Sequence, residues 1–298
     1  MKVSIGIFAH NEERTVGRAI EAMLAQEPEQ AKILEIFVLS CASTDSTVAA
    51  AEAYARHDAR LTVVNRPKRE GKLAAINDFL ARATGDVLVI AGADLVVAPG
   101  LVERLVEPMR RDPRCGMTGP RIATHGTAGL TGRMHDLLWR MHHEIASMQP
   151  KLGEVVALRR EFVPEGLPTG IHCDEVVMEA EVIRQGGLLA YVSEAEVRNF
   201  PPSDVREFYG QRRRIACQHR AADRRLSYRP ATLRKRNVVR AALNVVREDP
   251  GRMLTLASLC GVELAARMQG AIDERRGRTY QVWSPVLREV RVNATQPN

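Results

Sequence analysis

The sequence predicts an α/β fold: a mostly parallel central sheet flanked by helices, with a helical C-terminal extension. Three observations predict it. Short continuous apolar runs alternate with stretches of helical spacing over the first hundred residues. The runs lack a polar alternate, as strands covered on both faces do. After Pro202 the pattern becomes almost wholly helical.

In chain order, residues 3–8 form the first strand, and Val16, Ala19, Ile20, Met23 and Leu24 recur at helical spacing behind it. Residues 36–39 form the second strand. The cluster Ser43-Thr44-Asp45-Ser46-Thr47 then offers helix-capping side chains ahead of an alanine-rich helix. A strand at 61–64, a helix at 72–83 and a strand at 87–91 follow. Residues 117–122, 155–158 and 189–192 are further strands, and 130–147 and about 176–185 are helices. The Gly/Thr-rich stretch 123–132 is a loop able to close over a site. The expected organisation is a core at 1–200, divided at 100 into a nucleotide-binding and an acceptor half, and a basic helical extension at 201–298.

Composition narrows the function. Apolar residues make up 45% and charged residues 27%, as in ordinary globular proteins. Aromatics are only 4%, too few for the stacking platforms of single-strand nucleic-acid binders, and no nucleic-acid motif is present. Five scattered cysteines without a C-x-x-C pair exclude the usual zinc and redox motifs and point to a reducing cytoplasm. No apolar stretch is long enough to span a bilayer. The net charge of +7 divides into +11 for residues 201–298 and −4 for 1–200. Such a tail is a solvated arginine-rich surface, a cover for a diphosphate, or a peripheral contact with the inner face of a membrane.

Ligands of parallel sheets bind where the strands end at their carboxyl side. The first strand ends in Ala9-His10-Asn11-Glu12-Glu13, whose polar groups suit a base or ribose. The second ends in Ser40-Cys41-Ala42-Ser43-Thr44-Asp45, which by itself reads as capping. The fourth ends in Ala91-Gly92-Ala93-Asp94, and a carboxylate there can hold a divalent cation against a diphosphate. Glu70-Gly71-Lys72 places a cation at a helix start, where the dipole disfavours it unless an anion binds nearby.

Taken in order, AHNEE, SCASTDST, EGKLAAIN and GDVLVIAGAD resemble the inverting glycosyltransferases of the family 2 group, which have a GT-A fold. Their motifs are a P-x-Y-N-E-like turn, D-D-G-S-T-D-x-T, G-K-x-x-A-x-N and G-D-x-x-x-x-x-D-x-D. Asp174-Glu175 ahead of Gly186 is similar to the family's E-D pair. Gln211-Arg212-Arg213-Arg214-Ile215 is similar to its Q-x-x-R-W. The chain departs at Ser40 and Cys41, where relatives carry acids, at Gly92, the first position of D-x-D, and at Ile215.

The resemblance implies transfer of a hexose from a nucleotide-diphosphate sugar, UDP ahead of GDP, to a small-molecule or lipid hydroxyl. Phe8, His10, Asn11, Glu12, Ser40, Lys72, Gly92, Ala93, Gln211 and Arg214 are the expected donor contacts. Asp94 and His219 are the expected ligands of Mg²⁺ or Mn²⁺, and Glu175 or Asp174 the expected base. His142 and His143 are weaker metal candidates. Two other readings stand beside it. A sugar nucleotidyltransferase should have a glycine-rich first turn, which AHNEE lacks; a nucleotide-sugar-binding protein without turnover would account for Cys41, Gly92 and Ile215.

Overall fold

The computed structural model describes residues 1–280. Its sheet contains β1 (Lys2–Ala9), β2 (Lys32–Cys41), β3 (Leu61–Arg66), β4 (Val87–Gly92), β5 (Val96–Val97), β6 (Cys115–Thr124), β7 (Val155–Arg159) and β8 (Leu188–Asn199) in the order β3-β2-β1-β4-β7-β6-β8-β5. The four strands β3, β2, β1 and β4 are parallel neighbours, as are β6 and β8. β7 runs antiparallel between β4 and β6, and β5 antiparallel to β8.

Helices α1 (Val16–Leu24), α2 (Thr47–Ala55) and α3 (Lys72–Arg82) connect the first four strands. α4 (Leu101–Arg111) follows β5, and α5 (Gly129–Met148), α6 (Asp174–Arg184), α7 (Val205–Arg225), α8 (Lys235–Glu248) and α9 (Met253–Arg275) complete the described chain. The part of the expected extension at 281–298 lies outside the described residues.

The period-two pleat of β1 sends Val3, Ile5 and Ile7 to one face, where Val16, Ala19, Ile20 and Met23 of α1 cover them; on the same face Leu101, Val102, Leu105, Val106 and Met109 of α4 pack against β6, β7 and β8. The opposite face buries Phe8, Phe37, Leu39 and Leu88 against Phe79 and Ile76 of α3 and Val176, Val177 and Val182 of α6. No element was predicted over 95–111. Pro108 lies inside α4, yet the helix forms because five apolar side chains on one stripe are buried.

A third core joins the C-terminal helices to α5: Met134, Leu137, Met141 and Ile145 pack with Phe208 of α7, Ala241 and Val245 of α8 and Leu259 of α9. Much of the extension's positive charge is spent on ion pairs within it. Arg212 pairs with Glu263, and Arg213 makes a bidentate contact with Asp273 at 2.6 and 2.8 Å.

Candidate active site

The register of the parallel strands sets their exits side by side. Ala9 pairs with Ser40, Phe8 with Gly92, and Cys41 with Arg66. The turns after β1 and β2 are then stitched together by side chain to backbone bonds. The Asn11 amide donates to Ser43 Oγ (3.1 Å), and Asn11 Oδ1 accepts from the Thr44 amide (2.8 Å). The Glu12 amide donates to Thr47 Oγ1 (2.7 Å), whose hydroxyl donates to Asp45 Oδ1. Asn11 has φ 56°, a left-handed conformation that asparagine tolerates better than most residues. The polar signature AHNEE and the capping cluster at 43–47 are thus one interlocked surface.

His10 closes the seam. Its Nδ1–H donates to the Cys41 carbonyl at 2.7 Å, because a carbonyl can only accept; in the neutral ring Nε2 is therefore the acceptor. Burial, opposed by that hydrogen bond and aided by Arg69, holds the imidazole below its ordinary value. Arg69 also acts on Cys41, whose thiol burial pushes upward. Sequence reasoning missed Arg69; a basic residue two positions before the Gly71 turn was the available signal.

Several expected contacts are corrected in kind. Ser40 is fully buried and its hydroxyl is bonded to Ser43 at 2.9 Å, so it supports the turn. Phe8 and Ala93 are core side chains. Phe8 packs edge-on to Phe79, and its carbonyl accepts the Ala93 amide at 3.0 Å. Only their backbones stand at the sheet's mouth. Asp94 is half-buried, and its carboxylate lies over Gly92: a Cβ added at Gly92 would stand 2.8 Å from Asp94 Oδ1. The missing first acid of the D-x-D pattern is therefore space that Asp94 itself uses.

Among the described residues no three His, Cys, Asp or Glu side chains gather as a metal-binding set. Asp94 is the carboxylate at this strand end that could hold a divalent ion. His219, the other expected ligand, lies on α7. Burial and the charges of Lys151, Arg212 and Arg267 push it down to about 3. His142 is held at about 3 by burial and Lys151, and His143 hydrogen-bonds the Tyr191 hydroxyl at 2.7 Å.

The second half of the site is a charged cluster at the start of α6. Lys72 Nζ, at the start of α3, lies 2.6 Å from Asp174 Oδ2 and 3.8 Å from Glu175 Oε1. Arg214 on α7 feels Glu175, Asp174 and Glu154 most strongly among charged groups, while burial weakens its hold on its proton. The structure thus brings together Lys72 of α3, Asp174 and Glu175 of α6 and Arg214 of α7, with Lys72 and Asp174 102 positions apart in sequence. Gln211 lies one turn before Arg214 on α7.

The two acids divide. Burial opposes the Glu175 charge, but Lys72 and Lys151 outweigh it and hold the carboxyl below its ordinary range. Burial and the charge of Glu175 hold Asp174 above its range against the pull of Lys72. The pair titrates as a unit, with Glu175 the first to ionise. For Lys72, burial works against the charge, and Asp174 and Glu175 override it, so the ammonium stays protonated above its usual value.

Known proteins share this frame. The family model for glycosyl transferase family 2 matches residues 4–157, about half the chain. The acid pair lies beyond that match. Over 132 residues the chain is 28% identical to a putative glycosyltransferase, EpsE, of Bacillus subtilis, covering 44% of this chain and 46% of that one. Over 231 residues it is 21% identical to an uncharacterized glycosyltransferase of Haemophilus influenzae, covering 76% and 65%. The matches thus span about half to two-thirds of these relatives' lengths.

Among solved structures, the mannosyltransferase PcManGT from Pyrobaculum calidifontis, in complex with GDP-Man and Mn²⁺, superposes with a TM-score of 0.67 at 20% identity, covering 93% of this chain and 88% of that one. Glucosyl-3-phosphoglycerate synthase from Mycobacterium tuberculosis, with Mn²⁺, UDP and glucosyl-3-phosphoglycerate, gives 0.51 at 22% identity over 73% and 78%. These likenesses establish a GT-A-type fold. By the match over residues 4–157, the chain belongs to glycosyl transferase family 2.

Proposed function

We propose that the chain transfers a hexose from a nucleotide-diphosphate sugar, UDP ahead of GDP, to an acceptor hydroxyl with inversion. The observation that carries this is the Glu175 carboxyl at the start of α6, 3.8 Å from the Lys72 ammonium and within the charge reach of Arg214. Inversion needs a carboxylate that accepts the acceptor's proton as the sugar carbon is attacked from the face opposite the leaving group. Glu175 takes that role. Asp174, which holds its proton more tightly, orients Lys72 through their 2.6 Å contact.

His10 and the 41–45 turn receive the nucleoside, with Arg69 and the Cys41 backbone in place of the acids found in relatives. Asp94 would hold a divalent ion, which when bound would supply positive charge against the diphosphate. Lys72 and Arg214 add to it from the protein side, and α7 with the connection at 125–128, shorter than the loop expected at 123–132 because β6 and α5 take up its ends, closes the site against water. In this assignment residues 1–200 are the catalytic core, and the helices after 200 contribute Gln211 and Arg214.

A lipid acceptor is favoured by one surface. α8 exposes Val239 and Leu243 between Lys235, Arg236, Arg240 and Arg247, the composition of a helix that rests on an anionic membrane surface. No helix among the described residues is long and apolar enough to cross a membrane.

Thermal unfolding with UDP and GDP, with and without Mn²⁺, tests the donor assignment. Stabilisation by at least one diphosphate, enhanced by the metal, is the expected result; no stabilisation by either would remove it.

A further inference from the structure

Behind the acid pair lies a second charged cluster that the transfer step leaves unused. Glu179 is fully buried on α6, one helical turn beyond Glu175. Its Oε1 accepts the Leu152 amide at 2.7 Å and the Lys151 ammonium at 3.3 Å, and its Oε2 accepts the Tyr228 hydroxyl at 3.0 Å. Lys151 is itself 7% exposed and donates a second bond to the Leu152 carbonyl. Three segments meet here: the base helix α6, the stretch leading into β7, and the chain that follows α7.

A buried ion pair adds little to stability, because desolvation offsets its attraction and apolar side chains could fill the same space. Its position gives it another use. Residues four apart on a helix stand about 5–6 Å apart at Cβ, so an ammonium seated on Glu179 lies within Coulomb reach of Glu175.

We propose that Lys151, held by Glu179, which Tyr228 braces in turn, is a positioning residue for the base: its buried ammonium, one helical turn behind Glu175, favours the carboxylate that accepts the proton. The inference rests on the role given to Glu175 above.

The groups that act around Glu175 are Asp174 on α6, Cys173 before it, Lys72 from α3, Arg214 from α7, Glu154 before β7, and Lys151. His142 and His219 act against Lys151 and stay neutral at physiological pH. Lys72 is half-buried, held by Asp174, and in the function proposed above serves the diphosphate. Lys151 cannot follow it, because Glu179 and the Leu152 carbonyl anchor it. It is thus a cation fixed behind the base.

Titration of the Glu175 carboxyl carbon by ¹³C NMR in the full chain, with the signal assigned through Glu175→Gln, tests this directly. Lys151→Gln should raise the Glu175 midpoint by about one unit. Glu179→Gln can still accept from the Leu152 amide, and should lower the midpoint by removing a negative neighbour while leaving the ammonium. The acid limb of kcat should move in the same two directions, with the donor KM within about two-fold.

Midpoints unmoved in both variants, or moved in the same direction, would overturn the proposal. If Lys151→Gln fails to fold, Glu179→Gln decides alone: a downward shift supports it, and no shift or an upward one overturns it. Opposite shifts together with full transfer by Glu175→Gln would place the failure in the base assignment, since the charge coupling would stand.

Discussion

Replacing Lys72 with Met should destabilise the protein by about 2–3 kcal/mol at pH 7, and the deficit should close in acid. The ammonium stands 2.6 Å from Asp174 and 3.8 Å from Glu175. At an effective dielectric of about 20 these separations correspond to roughly 6 and 4 kcal/mol of attraction, most of it offset by desolvation. Removing one partner of a fully buried pair costs about 3–5 kcal/mol. The side chains here keep 13–26% of their exposure, which places the loss at the lower end.

The pH dependence follows from the shifts. Lys72 is held above its ordinary value, so its share is fully present below that value and is lost as pH rises through the elevated one. Glu175 is held below its range, so its share is present above the ordinary carboxylate value and is lost as pH falls through the lowered one. Asp174 is raised and works in the opposite sense, contributing below the ordinary value and losing that share as pH rises. Without Lys72 both carboxyls titrate higher, and the deficit narrows as pH falls through the lowered Glu175 value, where the intact chain loses its paired carboxylate as well. Urea unfolding at a series of pH values measures this. A deficit under about 0.5 kcal/mol at pH 7, or one constant from pH 3 to 8, would refute the reasoning.

Two further outcomes are expected. Asp94→Asn should unfold within about 2 °C of the unmodified chain yet lose the Mn²⁺-dependent part of nucleotide stabilisation; an unchanged metal effect would move the ion's ligand elsewhere. Val239→Glu with Leu243→Glu should abolish co-sedimentation with vesicles containing anionic lipid while leaving neutral vesicles unbound in both proteins. Equal recovery with the vesicles would remove α8 as the contact.

The first four strands and their helices were legible because each carries its own periodicity: Val3, Ile5 and Ile7 on one side, Val16 through Met23 behind them. The antiparallel insertion of β7 was not. Strand direction depends on how a connection crosses the sheet, and residues 155–158 look apolar in either direction. In the site, the first-turn residues were found, but as a mixture of rim and support. Asn11 and Ser40 stitch turns together, which no local pattern distinguishes from ligand contact.

The Lys72–Asp174 contact joins residues 102 positions apart and only appears once α3 and α6 share a face. Lys151 and Glu179 were missed for the same reason. Glu179, at a position flanked by Val176, Val177 and Val182 on the apolar face of α6, carried a faint signal: a charge at a core position needs a partner.

The central claim is that Glu175 is the base of an inverting transfer. Turnover of UDP- and GDP-sugars with Mn²⁺ and a panel of small and lipid hydroxyl acceptors, with the anomeric configuration of the product followed by ¹H NMR, tests it most directly. The unmodified chain should give the inverted product. Glu175→Gln should lower kcat by about 10²-fold or more with donor affinity within a few-fold, and Asp174→Asn should cost far less. A product of retained configuration, or full transfer by Glu175→Gln, would contradict the account.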